Sequence, residues 1–151
     1  DVLTALSVVL GLVFVGLELR HANNLARADA LNSINALYLE LGNGKYEAPV
    51  STGLWAAYYA GELESKESLP PEDYEAIENL ISGFMTVFES AWQYHSRGII
   101  GDEEFDGYLR GLCSEFSQAP FLPEVWRTLR HAYSAGAIAE GERACPTLAT
   151  D

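Results

Sequence analysis

The stretch that decides the fold is VLTALSVVLGLVFVGL, residues 2–17, near the start of the chain. Only Thr4, Ser7, Gly11 and Gly16 interrupt its apolar residues, and none of its side chains is charged. As a helix rising about 1.5 Å per residue it would cover about 24 Å, slightly less than a hydrocarbon core of about 30 Å. The stretch therefore predicts a helix that lies inside a membrane.

Three other structures compete for this stretch. A cleaved signal peptide would need a basic start and a small-x-small cleavage site, and neither is present. A buried core helix would have to be covered on all sides, which a chain of 151 residues would struggle to do. A surface amphipathic helix is excluded because the stretch has no polar face. We therefore assign residues 1–19 to a transmembrane helix, and we expect apolar residues upstream of Asp1 to complete the span.

Two features of this region bear on packing and topology. Thr4, Ser7 and Gly11 fall on one side of the helix, which predicts a packing seam against another membrane helix. Arg20 and Arg27 follow the span, and positive charge directly beyond a span tends to stay in the cytoplasm. We expect a single-pass protein whose soluble domain is cytoplasmic rather than periplasmic.

Residues 20–134 have the mixed composition of a soluble helical domain. Hydrophobic residues recur at helical spacing beyond the span, so the membrane helix is expected to continue as one rod until Gly42-Asn43-Gly44 ends it. Further helices are predicted near 50–60, from Pro70-Pro71 to about Ser96 with a stop at Gly98, from a cap at Asp102 to Phe116, and over 125–133. The Ala/Gly-rich segment 135–151 is predicted to be a poorly ordered tail.

No segment has a strand-like pattern, so the predicted fold class is all-α. The predicted architecture is one N-terminal transmembrane helix that continues into a small antiparallel helical-bundle domain.

The charge of the chain is strongly acidic. Its net charge is −13, from 22 acidic and nine basic residues. Such a field repels phosphate backbones, so binding to nucleic acid is not expected. The acidity serves either solubility or docking of a basic protein partner, and both readings stay open.

The sequence contains no recognisable catalytic set of residues. Cys113 and Cys145 match no zinc signature, and a bridge between them is feasible only in an oxidising compartment. His95 continues an apolar face and is expected to be a core residue. No Glu-x-x-His pairing, phosphate loop or nucleophile elbow occurs, so we expect no metal, no cofactor and no enzymatic activity. If Glu89 is buried, it would need an arginine partner, for which the candidates are Arg97, Arg110 and Arg127.

The aromatic residues Trp55, Tyr58 and Tyr59 lie close to the end of the predicted rod. They are candidates for an interaction surface, although core packing explains most buried aromatic residues equally well.

Several short motifs together resemble a known family. The junction Val15-Gly16-Leu17-Glu18-Leu19-Arg20 with Asn23-Asn24, the sequence Leu69-Pro70-Pro71-Glu72, and Phe88-Glu89 leading to Arg97-Gly98-Ile99-Ile100 are similar to a set of bacterial proteins. Those proteins pair one N-terminal membrane helix with a short helical domain, and no activity is assigned to them. The resemblance implies the same architecture in a bacterial inner (plasma) membrane.

These observations lead to two hypotheses of function. The first is a membrane-anchored interaction protein, an accessory or scaffold subunit of a larger membrane complex such as a respiratory or photosynthetic assembly. Its partners would be the lipid bilayer and other membrane protein subunits. The alternative is a membrane-tethered sensor or regulator that binds a small ligand.

Overall fold

A computed structural model describes residues 2–47 and 49–149 of the chain. No strand occurs among these residues, which confirms the predicted all-helical fold class over this part of the chain. The α-helices are α1 (Val2–Glu47), α2 (Leu54–Tyr59), α3 (Pro71–Ser96), α4 (Asp102–Phe116), α5 (Leu122–Leu129) and α6 (Ala135–Ala144). Short 3-10 helices occupy Lys66–Ser68, Arg130–Ala132 and Pro146–Leu148.

Helix α1 has an exposed half and a packed half. Its 46 residues make a rod of about 69 Å. Every residue from 2 to 29 is exposed, and we call this segment the exposed arm. Burial begins at Ala30, which is 3% exposed, and continues at Ile34, which is fully buried. The chain itself therefore covers only the second half of the helix.

The end of α1 differs from the prediction. Gly42-Asn43-Gly44 was expected to close the helix, but the helix continues through both glycines to Glu47. Glycine permits the left-handed conformation without requiring it, and positive φ occurs instead at Gly53, Gly61 and Gly98. The short second helix also starts later than predicted, because Gly53, with φ 91°, lies directly before Leu54.

The long helix α3 begins and ends as predicted. Pro71 occupies its first turn, where a missing backbone N–H costs nothing. At its other end Gly98 has φ 69°, its N–H donates to the His95 carbonyl at 2.8 Å, and Ile99 N–H donates to the Tyr94 carbonyl at 2.9 Å. This pair of bonds is a Schellman motif. Helix α4 then starts with Gly101, rather than the predicted Asp102, at its N-cap.

Helices α1 and α3 run in opposite directions. Arg27 and Arg97 line one cleft at one end, and Leu41 lies against Gly83 midway. Beyond α1, the backbone N–H of Ser51 donates to buried Asp73 at 2.7 Å. Helix α4 packs against α3 and also contacts α1, since the Tyr38 ring of α1 lies beside Tyr108 and Gly111 of α4. The most buried members of the core include Tyr58, Ile77, Ile81, Met85, Leu112, Phe116, Leu122, Val125 and Trp126.

The C-terminal segment differs most from the prediction. Instead of a poorly ordered tail, the structure has α6 and the turn Pro146–Leu148, with Ala137, Cys145 and Leu148 buried. The reason is that the small residues of this segment allow close packing. A Cβ on Gly136 would overlap the Trp92 ring, and one on Gly141 would come 3.0 Å from Trp126. The Ala/Gly composition is therefore a helix-packing surface.

Candidate functional site

The exposed arm carries the largest uncovered apolar surface that the structure describes. An 18-residue window within Val2–Gly44 has a mean hydropathy of 2.4 and no buried residue, so the helix is long and apolar enough to cross a membrane. The twelve large hydrophobic residues from Val2 to Leu19 are 53–85% exposed. At about 1 kcal/mol for each partly exposed side chain, covering them is worth on the order of 10 kcal/mol.

The predicted packing seam lies on this arm. Ser7 Oγ donates to the Leu3 carbonyl at 2.9 Å, which satisfies the hydroxyl within the helix. A Cβ on Gly11 would meet nothing within 4 Å, so this face stays open to a close neighbour. Thr4 is exposed on the same helix. The seam remains a prediction.

The three predicted surface aromatics separate in the structure. Tyr58 is fully buried, and its hydroxyl donates to Glu115 Oε2 at 3.3 Å. Burial and the neighbouring Glu115 carboxylate raise the pKa of Tyr58. Trp55 is half-buried, and its ring lies edge-on to that of Tyr58 at 6.1 Å. Tyr59 is 44% exposed and is the most accessible of the three, and its role in an interaction surface remains a prediction.

Glu89 is half-buried, but it does not take the expected arginine partner. Its Oε1 accepts from the backbone N–H of Ser134 at 3.2 Å and from Gln93 Nε2 at 3.3 Å. Ser134 is the N-cap of α6, so the carboxylate lies at the positive end of that helix dipole. Glu89 therefore helps to dock α6 onto α3.

His95 joins the end of α3 to the start of α4. Its ring stacks on Phe105 with centroids 4.4 Å apart, and its Nε2 lies 2.9 Å from Asp102 Oδ1. The side chain keeps 30% of its surface exposed, so it is not the fully buried core residue that its position on the apolar face suggested. The spacing to Asp102 across the turn was the available signal for this pair.

A cleft of about 390 Å³ lies between the exposed arm and the turn after α3. Asn23, Asn24 and Arg27 line one wall, and Arg97 lines the other. Arg27 forms an ion pair with Glu104, and a second oxygen of that carboxylate accepts the Gly101 N–H at 3.1 Å. Among the residues that the structure describes, Arg97 has no ion-pair partner. Sequence patterns do not reveal this cleft, because Arg97 is 70 residues beyond Arg27.

Cys113 and Cys145 form a disulfide with Cα atoms 5.3 Å apart. The bond joins α4 to the end of α6 across a sequence separation of 32 residues, and Cys145 is buried. Beside it, a groove of about 460 Å³ is open to solvent and is lined by Asp106, Arg110 and Cys113 among others. The structure thus decides between the alternatives for these cysteines in favour of a bridge.

Acidic charge is concentrated around the start of α3. The cleft end carries Arg27 and Arg97, while residues 62–78, around the opposite end of α3, contain seven acidic residues and only Lys66 as a base. Lys66 itself is paired with Glu124. The first turn of α4 adds Asp102, Glu103 and Glu104 at the cleft end, so the end of α3 remote from the cleft is strongly acidic and the cleft end carries charges of both signs.

No group of three His, Cys, Asp or Glu residues that could hold a metal ion occurs within residues 2–47 and 49–149. No family model, no curated protein and no solved structure matches the chain.

Proposed function

We propose that this chain is a membrane-anchored interaction protein, an accessory subunit whose helical domain binds other membrane protein subunits. One observation carries the proposal. Residues 2–17 of the exposed arm carry no charge, their large hydrophobic side chains are more than half exposed, and no other part of the described chain buries them. A bilayer removes such a surface from water at no cost in backbone hydrogen bonds, since a helix satisfies them internally.

The disulfide supports an orientation opposite to the one expected from Arg20 and Arg27. Two arginines close to a span make a modest positive-inside bias. A structural disulfide, in contrast, does not persist in a reducing cytosol. We therefore propose that the domain lies on the oxidising, periplasmic side of a bacterial plasma membrane, with the bridge between Cys113 and Cys145 intact.

The acidic segment 62–78 supports a basic partner for the domain. Its charges lie at the end of α3 that is remote from the exposed arm, so they face away from the proposed bilayer. Exposed Tyr59 lies close to this segment in sequence, and tyrosine is enriched at protein interfaces. Together they form the docking surface that we assign to the partner.

Gentle extraction of the chain from its own membranes tests the proposal. We expect it to resist alkaline carbonate and to migrate in mild detergent with a larger complex, whose subunits mass spectrometry would identify. A variant with Glu62→Lys, Glu64→Lys and Glu67→Lys should stay in the membrane but lose the partner. Release by carbonate would refute the anchor, and migration as a free monomer would refute the accessory role.

Alkylation of thiols in intact cells tests the orientation. We expect Cys113 and Cys145 to react with a membrane-impermeant maleimide only after an external reductant is added. Ready reaction with a permeant reagent, without any reductant, would place the domain in the cytoplasm. The double variant Cys113→Ser/Cys145→Ser is the matched control for labelling of other proteins.

A further inference from the structure

We propose that the cleft between α1 and the turn after α3 binds the phosphate of an anionic phospholipid headgroup. This inference rests on the proposed membrane anchor, because the position of the cleft relative to a bilayer follows from the position of the exposed arm.

The near end of the cleft lies at the depth of lipid headgroups. If the apolar arm ends at Leu19, then Asn23 lies about 6 Å and Arg27 about 12 Å farther along the helix axis. A headgroup layer extends roughly 5–8 Å beyond the hydrocarbon on each side of a bilayer. The near wall of the cleft is therefore within reach of the phosphates of surrounding lipids.

The donors of the cleft suit a phosphate. Asn23, Asn24 and Arg27 of α1 line one wall of the cleft. Arg97 approaches from the opposite wall and has no ion-pair partner among the residues that the structure describes. A planar guanidinium donates two parallel N–H bonds to phosphate oxygens, and asparagine amides add neutral donors.

The acidity of the chain limits the places where such an anion can bind. The chain as a whole carries a net charge of −13, so an anionic headgroup is repelled from most of its surface. At this end Glu104 is held by Arg27 and by the Gly101 N–H, and Asp102 lies against His95, while Glu103 beside them is exposed. A volume of about 390 Å³ is within the range of small-molecule sites, and it accommodates a headgroup with its phosphate.

A lipid bound here would fix the angle of the domain to the membrane. Its phosphate would bridge the arm to the turn that follows α3, while its acyl chains stay beside residues 2–19. Free inorganic phosphate offers the same oxygen atoms but lacks this second attachment. The geometry therefore points to a lipid as the source of the phosphate.

Native mass spectrometry of the full chain, released from nanodiscs into mild detergent, tests the inference. The nanodiscs contain phosphatidylcholine with about 30% phosphatidylglycerol, and phosphatidylglycerol is the anionic lipid whose retention is measured. We expect the wild-type chain to retain phosphatidylglycerol in preference to phosphatidylcholine. Arg97→Gln should weaken this retention about tenfold, as expected for the loss of one charge-assisted pair. Arg97→Lys should retain phosphatidylglycerol to an intermediate degree, because lysine keeps the positive charge but lacks the planar guanidinium that donates two parallel hydrogen bonds.

The matched control is Arg110→Gln, which removes the same charge from an exposed position in the groove beside the disulfide. It should leave retention unchanged. Equal retention by wild type and Arg97→Gln would overturn the inference, and so would displacement of the lipid by millimolar glycerol phosphate or inorganic phosphate. Carbonate extraction of the same samples separates the two proposals. A chain that stays in the membrane but retains no phosphatidylglycerol refutes the lipid site alone.

Discussion

Removing the disulfide should destabilise the domain by an amount that its loop length sets. Cys113 and Cys145 close a loop of 32 residues. In the chain-entropy description, opening such a loop restores about 4 kcal/mol of conformational freedom to the unfolded chain at 25 °C. For a domain of this size the loss corresponds to a fall in Tm of roughly 12 °C. The loop contains α5 and α6, so the last helix should be lost first.

Circular dichroism of the full chain in mild detergent, followed during heating, measures this effect. Three samples are compared: the oxidised chain, the same chain with a phosphine reductant, and the double variant Cys113→Ser/Cys145→Ser. The reduced chain and the double variant should melt together, and the reductant should not affect the variant. Equal melting of the oxidised and reduced wild type would refute the reasoning, because the bridge would then constrain nothing.

Three further predictions concern packing, charge and pH. Gly136→Ala places a methyl group against the Trp92 ring and should lower the free energy of unfolding, measured in urea, by about 1–3 kcal/mol. Its control is Gly42→Ala, whose methyl group would meet nothing within 4 Å and should raise the free energy of unfolding by about 0.5–1 kcal/mol. Equal effects of the two substitutions would contradict the packing of α6. Glu89→Gln should cost about 1 kcal/mol in the same assay, and no change would refute its docking role. Burial raises the pKa of Tyr58, so above about pH 10 this tyrosine ionises in the unfolded chain and not in the folded one. The contribution of Tyr58 to stability is therefore complete below about pH 10 and falls above it by up to about 1.4 kcal/mol per pH unit. Tyr58→Phe should therefore flatten the alkaline fall in stability, and an unchanged slope would refute the assignment.

Local patterns determined the parts of this protein that depend on near neighbours in the chain. The apolar run 2–17 specified the long exposed helix, since its hydrophobicity is continuous and needs no partner to be recognised. Pro71 and Gly98 marked the two ends of α3, because each acts through the φ of a single residue. The prediction that Gly42 and Gly44 end α1 was wrong, because both lie inside the helix in ordinary helical conformation.

The pairings that give the domain its sites are contacts between distant parts of the chain. Arg97 reaches the cleft beside Arg27 only because α3 turns back along α1, and Cys145 reaches Cys113 only because α6 packs on the core. The Ala/Gly-rich sequence of α6 is typical of a disordered tail. The packing role of its glycines can be recognised only from the tertiary structure, in which tryptophan rings lie against them. The sequence by itself determined the helical class, the apolar arm and the acidic charge, because these are sums or periods along the chain. The tertiary structure alone decided the bridge, the cleft and the burial of Tyr58, because each requires atoms far apart in sequence to meet.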